Sequence, residues 1–368
     1  MWTDKQTNRQ TDKQTNRQTD KARKRNSSIE LLRVIAMLMI IAHHSAIHGL
    51  TNVVLGSHYV NYLNNGSTIN HIFALGILPG GEVGNNIFFM ITGFFLYKKV
   101  SVKVASLTKI ELQMRISALL IFIVSMLFYL IGGDIILKNT DYSPVSIGVK
   151  YLLIPVLSGE WWFISAYVVL VLMSPAFNSL IINNEKLKPV YVITVGFILL
   201  YLSSYVNVQY YGIIRAAFAY ILGAYIAKKT SDRSFGFYLS IAIFSWILAV
   251  VFSAISVPII SNVLYMAFTV LVSASLLSAF KQLSFSSDTI NTLGRATFTV
   301  YILHDNFLSR QIFWKNIVNV ANVYKTSALY PLIDIVYVLA IFCILAIIDI
   351  LVVHPFVSWS SKKLVRMG

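Results

Sequence analysis

Apolar runs long enough to cross a lipid bilayer recur from one end of this chain to the other. Nothing else in the sequence constrains the fold so tightly, because a spanning helix needs only about 20 consecutive, mostly apolar residues. The candidate segments are 29–49, 74–97, 107–131, 161–182, 189–206, 210–227, 235–255, 259–280, 293–313 and 329–353. They read as long unbroken runs rather than the alternating ten-residue strands of a membrane β-barrel. Hydrophobic residues fill 57% of the 368 positions and charged residues only 12%, about half the charged share of a soluble domain. A mean hydropathy of +0.69 cannot be hidden in one globular core. Soluble enzymes, disulfide-built secreted domains and disordered chains are thereby excluded. The sequence predicts an all-α, polytopic membrane bundle of about ten transmembrane helices.

Charge placement sets the expected orientation. The net charge is +15, from 30 basic and 15 acidic residues. Apart from the N-terminal tail, the loops on one side hold Lys98, Lys99, Lys103, Lys109, Lys186, Lys188, Lys228, Lys229, Arg233, Lys281, Lys362, Lys363 and Arg366. The opposite loops hold only Lys138, Lys150, Lys315 and Lys325. Basic loops stay cytoplasmic, so both termini are expected inside. The basic excess belongs to that orientation, with membrane lipids as the surroundings and no nucleic acid as a partner. Residues 1–26 form a basic tail carrying TDKQTNRQ at 3–10 and again at 11–18. That repeat has nothing apolar to bury and is expected to be disordered. The membrane domain is expected over 27–355, followed by a short basic cytoplasmic tail at 356–368. The stretch 147–157 is apolar but short, which suits an interfacial or re-entrant piece.

A charge at membrane depth is costly, so each one demands a reason. In the first segment, IELLRVIAMLMIIAHHSAIH, eleven steps of 100° separate Arg33 from His44, three turns plus about 20°. The two side chains share a face, about 16 Å apart along the axis. His43 lies about 80° off Arg33, whereas Glu30 and His48 fall near the Arg33–His44 stripe. A guanidinium suits phosphate and a neutral imidazole suits proton abstraction. The same pattern also fits an Arg33 that snorkels to headgroups beside Glu30 and a His44 that bonds a neighbouring helix. The second segment opens GGEVGNNIFFMITGFFLY, with Glu82, Asn85 and Asn86 among glycines that permit close packing or a break. Glu160, Trp161 and Trp162 open the fourth segment, where paired tryptophans also suit an interfacial belt. The ninth carries Tyr301 and His304 near one end. The lone Cys343 permits no internal disulfide, and no spacing of His and Cys signals a metal site, so no metal is expected.

In these four pieces the chain resembles the acyltransferase family 3 membrane proteins, which O-acylate bacterial surface glycans and other acceptors. Arg33 and His44 match the family's Arg-x10-His pattern. GGEVGNNIFFMITGFFLY matches its glycine–phenylalanine stretch, with Thr92 in place of serine. GEWWFISAYVVLVLMSPAFN and ATFTVYILHDNFL resemble the two remaining blocks. The resemblance implies a bacterial plasma-membrane enzyme with acyl-CoA, most often acetyl-CoA, as donor substrate and no permanently bound cofactor. It implies a glycan or lipid-linked sugar as acceptor. Under it, His44 is the general base, Arg33 positions the donor beside Glu30, and Glu82, Asn85, Arg115, Glu160, Trp161, Trp162, Tyr301 and His304 contact substrate. A transporter or flippase of a glycan precursor is the rival reading, since inward-facing polar groups also mark transport paths. The polar glycine stretch at 80–86 has no counterpart in the second half of the chain, which disfavours a two-repeat transporter.

Overall fold

The computed structural model describes residues 26–50, 67–102, 104–130, 161–203, 208–229, 233–255, 258–306, 309–310 and 312–367. The TDKQTNRQ repeat, the 147–157 stretch and Glu160 lie outside the described residues. All regular structure among the described residues is helical. The helices are α1 (Ser27–His44), α2 (Thr68–Ile77), α3 (Gly80–Leu96), α4 (Val104–Leu130), α5 (Trp162–Phe177), α6 (Pro189–Ser203) and α7 (Val208–Lys228). They continue as α8 (Phe235–Ala254), α9 (Pro258–Lys281), α10 (Asp288–His304), α11 (Val320–Thr326), α12 (Tyr330–Ile348) and α13 (His354–Met367). Wider π-helical turns extend α1 over Ser45–Leu50, α5 over Asn178–Ile182 and α12 over Asp349–Val353, and another spans Ile312–Ile317.

Among the described residues, six stretches are long and apolar enough to cross a membrane: Ser27–Leu50, Thr68–Leu96, Trp162–Ile182, Phe235–Ala254, Ser261–Lys281 and Tyr330–Ser361. Pro189–Leu202 is apolar but shorter. Helices α4, α7 and α10 occupy the other expected segments, and each carries charged or strongly polar residues inside its length. Apolar side chains such as Ile243, Phe244, Ile247 and Val251 on α8 stay exposed, as do Leu332, Ile335, Val336 and Leu339 on α12. Exposed faces of that composition belong in lipid. This is a multi-pass membrane architecture.

Helix α1 is the hub. It packs against α3, α9, α10 and α12, and buries Ile29, Leu32, Ala36, Met37, Ile40 and Ile41. It runs parallel to α10: Ser27 Oγ donates to Asn291 Oδ1 (2.9 Å) at one end, and His44 meets His304 at the other. It runs antiparallel to α3, where Gly84 sits on Ala36 and Ile40 and Gly81 sits on His43. Helix α3 also crosses α7 at two glycines that face each other's backbones. A Cβ on Gly93 would land on the Tyr220 carbonyl, and one on Gly223 on the Met90 carbonyl. Such crossings need small residues because only backbone contact brings the axes close.

Two expected boundaries shift, each for a visible reason. The 74–97 segment is two helices, broken at Leu78–Pro79 because proline has no N–H to continue the ladder. The ring of His43 reaches the Leu78 carbonyl at 2.6 Å and occupies the break. The 293–313 segment stops at His304, where Asn306 Nδ2 donates to the Ile302 and Leu303 carbonyls (3.1 and 3.0 Å). Ser309 Oγ donates to the Leu303 carbonyl as well (2.5 Å). These side chains take the acceptors that a continuing helix would have used. The basic segment at 356–368 is helical through Met367.

The α3–α7 crossing generates a stability prediction. Gly223→Val should lower the unfolding temperature in detergent, at a cost of about 1–3 kcal/mol from overpacking. Gly76, whose Cβ position meets nothing within 4 Å, should accept alanine with no loss. Equal melting behaviour of the two variants would contradict the crossing.

Candidate active site

The stripe Arg33, Met37, Ile40, His44 forms one wall of a site built between α1, α3, α5 and α10. A cavity of about 130 Å³ lies against its first three members, closed by Phe88 and Thr92 from α3, Phe163 and Tyr167 from α5, and Thr297, Phe298 and Tyr301 from α10. His44 is the next residue of the same stripe, one turn beyond Ile40. The lining is largely apolar, so Arg33 is the only full charge on the wall. Its Nη1 donates to Glu30 Oε1 and Oε2 at 3.1 and 3.3 Å, and its guanidinium stands 5.8 Å from the Phe95 ring centroid. Glu30 is buried, with Gly294 of α10 pressed against its carboxylate. The carboxylate therefore holds Arg33 at the cavity while a quarter of the Arg33 side chain stays exposed.

At the other end, a chain of hydrogen bonds fixes the tautomers. His304 Nδ1 lies 2.8 Å from the Val300 carbonyl, which only accepts, so Nδ1 carries the proton. His304 Nε2 is then an acceptor, and His44 Nδ1, 2.9 Å away, donates to it. The lone pair of neutral His44 is left on Nε2. Asp305 Oδ2 lies 3.7 Å from that atom. The same carboxylate meets His48 Nε2 at 3.6 Å and takes the Arg310 Nε hydrogen bond at 2.8 Å. The π turn after His44 brings His48 onto the carboxylate beside it. A hydrogen bond through Nδ1 orients the imidazole and leaves Nε2 as its acceptor, the orientation a general base needs, and the carboxylate beside Nε2 favours the protonated ring once it forms. The nitrogens of His44 and His48 and the Asp305 carboxylate lie within 4.8 Å of one another, spacing compatible with a metal ion. Arg310 already supplies the cation at that carboxylate, so an ion-pair cluster accounts for the group.

The remaining candidates from the sequence divide by position. Tyr301 lines the cavity and stands 6.0 Å, centroid to centroid, from the His304 ring. Asn85 lies on the α3 face of Phe88 and Thr92, and its buried Oδ1 has no hydrogen-bond partner. Trp161 is buried and donates to the Ile302 carbonyl (3.3 Å), fixing α5 against α10. Trp162 packs over Gly212 of α7. Glu82 forms an ion pair with Arg215, whose Nε also donates to Asn86 Oδ1 (2.9 Å). Arg115 sits on the exposed face of α4 with its Nε 2.7 Å from Glu111. His43 occupies the α2–α3 break rather than the cavity. Asp305, Arg310 and Arg215 complete these arrangements; each is a charge in or at the end of an apolar run, and the run does not reveal its partner. Asp305 and Arg310 flank the helix end, where periodicity carries no signal, and the Arg215–Glu82 pairing joins residues far apart in the chain.

The Glu82–Arg215 pair generates a second prediction. Arg215 is 3% exposed and Glu82 29%. Glu82→Ala should lower thermal stability by less than the roughly 3–5 kcal/mol of a fully buried pair, because its carboxylate is partly solvated. The double variant Glu82→Leu with Arg215→Met should recover most of the loss. If the double variant melted lower still, the pair would have a role other than packing.

The acyltransferase-3 family of acyltransferase domains matches residues 26–352, nearly the whole chain. No curated protein and no solved structure matches it. The matched region contains both ends of the Arg33–His44 stripe and the α3, α5 and α10 walls of the cavity. This multi-pass membrane protein belongs to the acyltransferase-3 family.

Proposed function

We propose that the protein transfers an acyl group, acetyl in the simplest case, from cytoplasmic acyl-CoA to a hydroxyl of a surface glycan or lipid-linked sugar. In this reading the bundle crosses the bacterial plasma membrane ten times with both termini in the cytoplasm, as the basic loops favour. The observation that carries the reading is the 2.9 Å contact of His44 Nδ1 with His304 Nε2, which leaves Nε2 as the acceptor of a neutral His44, one turn beyond a cavity that begins at Arg33.

Arg33 binds a phosphate of the donor through its fork of N–H groups. The pantetheine arm runs along Met37 and Ile40, whose apolar surface suits it, and delivers the thioester to His44. His44 Nε2 takes the proton of the acceptor hydroxyl as its oxygen attacks the thioester carbonyl carbon. The new C–O bond forms, the C–S bond breaks, and the thiolate takes the proton back from the imidazolium. Asp305 stabilises that imidazolium at the moment it forms. Asn85 Oδ1, an acceptor without a partner among the described residues, would take a hydrogen bond from an amide N–H of the pantetheine arm.

Release of CoA from acetyl-CoA by the purified protein, followed by thiol titration, tests the reading. His44→Gln should lose about 10²–10⁴-fold in kcat, the usual worth of a positioned base. His43→Ala should retain activity and lose stability, because it vacates the α2–α3 break. Arg33→Lys should raise the donor KM with the acceptor KM unchanged, since lysine keeps the charge and loses the fork. Full activity in His44→Gln, or no release of CoA by the wild type, would overturn the assignment.

A further inference from the structure

Among the described residues, four buried polar atoms on neighbouring elements have no hydrogen-bond partner: Asn70 Oδ1, Trp314 Nε1, Tyr330 OH and Asp334 Oδ2. They come from α2, the π turn at 312–317 and the start of α12. Ring and hydrogen-bond contacts tie them into one cluster. Tyr330 meets Phe73 and Tyr324 edge-on, at 5.5 and 5.3 Å between centroids, and Trp314 meets Tyr337 at 5.9 Å. Asn70 Nδ2 donates to the Tyr324 and Ser327 carbonyls, each at 2.8 Å. Tyr330, Asp334 and Tyr337 share one face of α12 at i, i+4 and i+7. Ser45, the residue after His44, donates its Oγ proton to Asp334 Oδ1. The cluster therefore reaches α1 at Ser45, one residue beyond the base, at the end of the stripe opposite Arg33.

The vacant hydrogen-bonding positions define the ligand. Trp314 offers a donor, Asp334 and Asn70 offer acceptors, and the Tyr330 hydroxyl offers both. A metal ion has no use for an indole N–H. An anion is repelled by Asp334, and a hydrocarbon satisfies none of the four. A neutral polyol satisfies all of them, since each hydroxyl both donates and accepts, and the aromatic rings cover the apolar faces of a sugar. We infer that this cluster is a carbohydrate subsite that holds the acceptor's sugar ring beside His44, an inference that rests on the acyl-transfer reading above. The four side chains are closed over. The sugar takes its place as the 312–317 turn draws back from the Ser45–Leu50 turn it packs against.

The test uses the full chain in detergent with methyl glycosides of common hexoses and N-acetylhexosamines as probes. Saturation-transfer NMR reads sugar binding, and thiol titration with acetyl-CoA reads transfer. Asp334→Asn, Trp314→Phe and Tyr330→Phe each remove one hydrogen-bonding function with little change of shape. Each should weaken glycoside binding and raise the acceptor KM roughly tenfold or more. The donor KM should not change. Tyr330→Phe deletes a single oxygen, so it serves as the folded case if another variant unfolds. Glycoside binding that all three variants retain, or no glycoside binding by the wild type, means ordered water satisfies these atoms and overturns the subsite. Binding that the variants lose, in a protein that releases no CoA, supports the subsite and refutes acyl transfer instead.

Discussion

The hydrogen bond from His44 to His304 is the contact on which the rest of the site depends. It joins two parallel helices through a pair of rings whose outer partners are a carbonyl on one side and a carboxylate on the other. Inside a bilayer there is no water to replace a lost partner, so each ring must be satisfied by protein. That requirement sets the rotation of α1. With His44 turned to α10, Ile40, Met37 and Arg33 necessarily face the space between α3, α5 and α10, and the cavity lies there.

The same logic of mutual satisfaction runs through the surrounding bundle. Glu30 holds Arg33, and Gly294 makes room for the carboxylate. Glu82 and Asn86 hold Arg215, which is buried where α7 meets α3. The Asn178 side chain donates to the Leu96 and Lys99 carbonyls (both 2.8 Å), closing the end of α3. Reciprocal glycine contacts draw α3 and α7 together between these two sets of bonds. Polar groups at depth thus serve two ends: most lock helices to one another, and in the His44 cluster one basic nitrogen faces the Asp305 carboxylate.

Much of this was legible in the sequence because helical periodicity is rigid. Eleven residues place Arg33 and His44 on one face whatever surrounds them, and the same arithmetic directs His43 elsewhere, to the Leu78 carbonyl. Apolar runs locate helices for the same reason. What periodicity could not supply was the partner across space. Asp305 and Arg310 meet where Asn306 and Ser309 interrupt α10, a local hydrogen-bond pattern with no repeat. The π turn that aligns His48 with His44 breaks the 3.6-residue period on which the helical reading relied. The resemblance assigns Glu82 to substrate along with Asn85, but it lies one turn before Asn86 and shares that residue's partner, Arg215.

The central claim is that the donor lies along α1, with its phosphate at Arg33 and its thioester at His44. Alkylation of a single cysteine at Met37→Cys, in a Cys343→Ser background, measures this directly. Met37 lies between the two ends and lines the cavity. Bound CoA should slow its reaction with a small maleimide, and Arg33→Ala should abolish that protection. A labelling rate indifferent to saturating CoA would contradict the account.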